Sequence, residues 1–124
     1  MALVVASITI PKNTAAPLLT ELNVYKRYVG QIQILYPDNA AYLVGVAIWN
    51  QTQQIAPAQG SNTKWIRDVG RLVTWQEQHD LGGSPRTLRI YAINEDDTYT
   101  RQVEVRIEVL DFATWAQLFD RRAG

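Results

Sequence analysis

"RIYAINEDDTYTRQVEVRIEVL", residues 89–110, decides the fold class. In its second half Val103, Val105, Ile107 and Val109 alternate with Gln102, Glu104, Arg106 and Glu108. A period of two with one apolar side is the pattern of a strand that buries one face. The first half does the same, with Leu88, Ile90 and Ala92 on one side of "TLRIYAI". Between them lie Asn94, Glu95, Asp96 and Asp97. Asn and Asp favour reversals because their side chains bond nearby backbone amides. Three adjacent carboxylates also raise a calcium site, but the D-x-D-x-D-G spacing and the distal Glu of a calcium loop are missing. The stretch is therefore read as two strands joined as a hairpin by an acidic turn.

Working outward, alternation continues. "SITIP" puts Ile8 and Ile10 on one face, "TELNVYK" does so with Leu22 and Val24, and "GQIQILYP" with Ile32, Ile34 and Tyr36. "YLVGVAIWN" is apolar on both faces, as expected of a strand covered on both sides. "QQIAP" reads as a short strand ended by Pro57, and extended structure resumes around Leu72 to Trp75. "LGGSPR" is a turn. About eight strands with no long helix between them predict an all-β, antiparallel two-sheet sandwich, jelly-roll-like, with an immunoglobulin-like sandwich as the alternative. Only the end departs from this period: Phe112, Trp115, Leu118 and Phe119 recur at helical spacing, which predicts a short C-terminal helical segment.

At 124 residues the chain is expected to form a single sandwich domain over 1–124, with an apolar N-terminal arm at 1–7 and a tail at 111–124. Charged residues are 19% of the chain, below the roughly 25% usual for soluble domains, and the formal net charge is zero. With no basic excess, nucleic-acid binding has little electrostatic support. The absence of cysteine excludes disulfides and thiolate chemistry. No apolar run reaches the roughly 18 residues that span a bilayer, so no membrane role is expected, and synthesis in the cytoplasm is.

Chemistry is hard to find. His79 is the single histidine, no G-x-S-x-G elbow or phosphate loop occurs, and a zinc site lacks ligands. No catalytic residue, cofactor or metal is predicted. The four tryptophans are more informative. Trp49 and Trp75 suit positions in or beside the core. Trp65, near Lys64, Arg67 and Asp68, suits a sugar-stacking platform, while subunit contacts by Trp65 and Trp115 are the better-supported of these two readings.

The order of "ITIPKNT" (8–14), "GQIQILYPDNAAYLVGVAI" (30–48), "IAP" before "WIRDVG", and "TLRIYAINEDDTYTRQVEVRIEVL" resembles small β-sandwich structural proteins of tailed bacteriophages. The resemblance implies a non-enzymatic virion component, a head decoration (cement) protein or a tail-associated one. It would stabilise the particle as a homo-oligomer, with a trimer favoured, bound to the major capsid or another virion protein. It transfers no catalytic or ligand residues. The residues expected at contacts are Leu3, Val4 and Val5 at the start and Phe112, Trp115, Leu118 and Phe119 at the end, followed by Trp65 and Arg67. The alternative is a carbohydrate- or receptor-binding sandwich.

Overall fold

The computed structural model describes residues 2–24, 26–37, 43–50, 53–57, 65–68, 72–75, 79–82 and 86–110. The expected C-terminal helical segment, with Phe112, Trp115, Leu118 and Phe119, lies outside them. Among the described residues ten strands run in chain order: β1 (Ala2–Ile10), β2 (Thr14–Asn23), β3 (Tyr28–Leu35), β4 (Val44–Asn50), β5 (Gln53–Ala56), β6 (Ile66–Arg67), β7 (Leu72–Trp75), β8 (His79–Asp80), β9 (Thr87–Asn94) and β10 (Arg101–Leu110).

They form two antiparallel sheets. One has the order β1-β10-β3-β7, with β8 also on β3; the other has β2-β9-β4-β5, with β6 also on β4. Pairing the first strands with the last in nested order (β1 with β10, β2 with β9, β3 with β7 and β8, β4 with β5 and β6) gives a long antiparallel ribbon folded over on itself. That is the jelly roll. The expected eight strands become ten because two rungs of the ribbon are split, one between β5 and β6 and the other between β7 and β8.

The core lies between the sheets. Ile8 and Ile10, Ile32 and Ile34, and Val103 to Val109 at alternate positions come from one sheet; Val44, Val46, Ile48, Leu88, Ile90 and Ala92 come from the other. Nearly all are β-branched, which suits a pleated, half-buried surface. The four aliphatic side chains of β10 contribute about 1.5–3 kcal/mol each on burial, before conformational entropy.

Three expectations change. The acidic stretch is not a hairpin, because β9 pairs with β2 and β4, whereas β10 pairs with β1 and β3. The turn carries the chain from one sheet to the other, so both strands turn their apolar side to the same core. The start of the chain is also extended: residues 2–7 belong to β1, in register with β10 from Ala2↔Val109 to Ile10↔Arg101. Finally, β2 begins at Thr14, well before "TELNVYK", and passes through Pro17. A register shift between Thr14 and Leu18 and a place at the sheet edge accommodate the missing N–H.

Candidate interaction surfaces

The acidic turn is a fastening, built residue by residue. The side-chain amide of Asn94, fully buried, donates to the carbonyls of Ile10 (3.1 Å) and Tyr99 (3.0 Å). Its Oδ1 accepts the N–H of Asp96 at 3.0 Å. Asp96 Oδ1 accepts the N–H groups of Thr98 and Tyr99, while Oδ2 takes Nε and Nη2 of Arg101 at 3.1 and 2.7 Å. These donors hold the Asp96 carboxyl below the usual carboxylate range, the Thr98 amide contributing most and Arg101 next.

The backbone extends the fastening. Asn13 N–H, in the left-handed corner between β1 and β2, donates to Asp96 O, and Glu95 N–H donates to Leu43 O. The Glu95 carboxylate pairs with Arg67 at 2.6 Å. One end of the sandwich is thus tied at β1, β4, β6 and β9. Among the described residues no group of three or more His, Cys, Asp or Glu side chains comes together to hold a metal.

Trp65 and Arg67 therefore sit beside this corner. Trp65 lies half-buried against Gly45, where an added Cβ would come within 3.0 Å of the Trp65 Cβ and 3.1 Å of Ile93 Cγ1. Glycine there lets the indole close over the outer face of β4. Next to β6, Tyr36 O–H donates to the carbonyl of Ile66, joining the end of β3 to the opposite sheet. Burial is the main reason that the Tyr36 phenol is pushed well above its ordinary value, with the Asp68 charge adding to it.

The outer face of the β2-β9-β4-β5 sheet carries an aromatic pair. Trp49, which the sequence places in or beside the core, instead alternates outward from Val46 and Ile48 and meets Tyr91 edge to face at 6.0 Å. Arg89, opposite Trp49 on β9, approaches Glu21 at 3.9 Å. Burial of Trp75 and the environment of His79 are not described.

The other sheet presents its contact candidates at its margin. Leu3 and Val5 point outward from β1 and are 57% and 47% exposed, while Val4 packs inward against the core. Beside them a shallow dent is lined by Leu3, Gln31, Gln33, Arg106 and Glu108. At the far margin Leu35 and Leu72, partners across β3 and β7, are also exposed. Leu3 and Val5 are thus separated from Trp65 and Arg67 by the thickness of the sandwich, so these four expected contact residues lie on two surfaces, with Val4 turned inward. The sequence signal for the corner was the Asn-Glu-Asp-Asp run itself, and alternation placed Tyr36 inward; no signal pointed to its bond with Ile66 or to the Trp49–Tyr91 pair.

No family model matches this chain, and no curated protein matches it. Among solved structures, the Yersinia pseudotuberculosis-derived mitogen aligns over 89% of this chain and 87% of its own, with 13% identity and a TM-score of 0.46. That degree of likeness carries no functional argument.

Proposed function

We propose that the chain is a non-enzymatic assembly module of a virus particle, in the manner of a capsid decoration protein, working through contacts with copies of itself and with other virion proteins. One observation carries the assembly half of this reading. Large apolar side chains stand exposed at the margins of both sheets, Leu3, Val5, Leu35 and Leu72 on one and Leu18 and Leu19 on the other. In a chain with few charges, apolar groups placed at sheet margins suit lateral packing against neighbours. The particle half rests on the sequence resemblance to phage sandwich proteins. The test is to purify virus particles from the source culture on a density gradient and to quantify the chain against the major capsid protein by mass spectrometry. A fixed stoichiometry in intact particles supports the proposal, and absence from particles overturns it.

A carbohydrate-binding module is the second reading, favoured by the outward Trp49–Tyr91 pair beside Arg89 and Glu21. Stacking surfaces next to polar groups suit sugar rings. The platform would then be Trp49, since Trp65 is occupied against Gly45. Glycan-array binding that disappears in Trp49→Ala would establish it; a silent array with the parent protein would remove it.

A further inference from the structure

We infer that the edge of β1, which no other strand flanks among the described residues, pairs antiparallel with β1 of a second copy, joining two sandwiches about a two-fold axis into one continuous sheet. This rests on the assembly reading above and names its contact.

The inference comes from comparing the edges. A sheet edge leaves every second residue's N–H and C=O unpaired, and natural proteins blunt such edges with proline, charge, irregular register or short strands. Three of the four edges here are blunted. β2 has Pro17 and a register shift between Thr14 and Leu18. Beyond β4 the edge is divided between β5, four residues long, and β6, two residues long. Beyond β3 it is divided between β7, with four residues, and β8, with two.

The edge of β1 has none of these devices. "ALVVASITI" is nine residues long, without a charge or a proline, and its nine pairs with β10 run without a shift. A strand held this straight on one side presents a regular ladder on the other.

A second copy fits this edge on chemical grounds. With no charge in the strand, antiparallel self-pairing sets no like charges opposite one another. The charges of β10, Arg101, Glu104, Arg106 and Glu108, lie one strand inward, so they stay about 14 Å from their symmetry mates at ordinary strand spacing. A register that places Ala6 opposite Ala6 uses the whole strand, with Val5 opposite Ser7 and Leu3 opposite Thr9. Leu3 and Val5 of both copies then share one face of the joined sheet, each beside the partner's Thr9 or Ser7. One two-fold contact caps both edges at once, and a two-fold dimer is the commonest closed assembly. It replaces the trimer expected from the sequence.

The test uses the full-length chain. Light scattering across a dilution series should give twice the chain mass for the parent protein. Val5→Lys and Val5→Glu should each give the chain mass, because the two-fold axis brings like charges within reach of each other. Their equimolar mixture should return to twice the mass. Circular dichroism of each variant should match the parent, since the Val5 side chain points outward. A Val5→Cys, Ser7→Cys double variant, in a chain with no cysteine of its own, should form a reducible dimer on oxidation.

A parent protein that is monomeric at every concentration overturns both this pairing and assembly by the free chain. A trimer, or any oligomer indifferent to Val5→Lys, overturns the pairing and leaves the assembly reading standing with its contact elsewhere. If the single-charge variants lose the dimer but the mixture does not regain it, the two-fold geometry is overturned.

Discussion

The corner around Asn94 and the edge of β1 treat backbone polar groups in opposite ways, although they meet at Ile10. At the corner, side chains and neighbouring strands supply partners for the groups at the strand ends: Asn94 alone serves Ile10, Tyr99 and Asp96. Along β1 the pairing is one-sided, with β10 on one flank and nothing described on the other. Groups satisfied within the chain stabilise the fold, whereas groups left regular and open are available for association. The difference separates what holds this molecule together from what it offers outward.

That contrast can be broken at four places. The largest effect is expected for Asn94→Ala, which leaves the Ile10 and Tyr99 carbonyls and the Asp96 amide without their partner inside the protein. A loss on the order of 3 kcal/mol should appear in urea denaturation. A loss below about 0.5 kcal/mol would show that the corner is ornament to a fold held elsewhere.

Tyr36→Phe comes next. It removes the phenol donor to the Ile66 carbonyl and should cost about 1–2 kcal/mol at neutral pH by the same measurement. The parent should also lose stability as pH rises above about 10. There the unfolded chain releases the phenol proton at its ordinary value, while the folded chain, whose pKa is raised, holds it. The Phe variant should lack that contribution to the alkaline decline; equal slopes would contradict the burial of Tyr36.

Asp96→Asn probes the acid side. The folded carboxyl has a lowered pKa, so its contribution is present above the unfolded value near 4 and disappears as pH falls through the lower folded one. The variant should show a shallower acid limb in a pH series of thermal melts, with an unchanged limb counting against the role of Thr98 and Arg101.

The smallest effect on stability, within about 0.5 kcal/mol, is expected for Val5→Lys at the open edge, measured on the monomer. A large loss there would mean that the β1 edge is already covered within its own chain.

The alternating stretches show how far the residues themselves reach. Val103 to Val109 and Leu88 to Ala92 were legible as buried rows because a period of two assigns each side chain to a face. Ile32 and Ile34 were legible for the same reason. "MALVVAS" was not, because its apolar residues fall on both parities and so resemble a loose arm. "TAAPLL" was not, because proline reads as a breaker unless the strand is known to lie at an edge. Of the contact candidates, the outward face of Leu3 and Val5 followed from alternation once β1 was a strand. The pairing of Arg67 with Glu95, 28 positions away in the chain, did not.

By itself, then, the amino-acid sequence determined that the chain is all-β, which faces its clear strands bury, and that Asn94 to Asp97 reverse the chain. Side-chain periodicity and turn chemistry are local properties, and they act before any partner is chosen. Only the tertiary structure decided that this reversal crosses between sheets, that β10 lies between β1 and β3, and that β1 is the outermost described strand of its sheet. An alternating strand has two equivalent flanks, and nothing within it says which neighbour will occupy either. That choice comes from closing a single core between the two sheets.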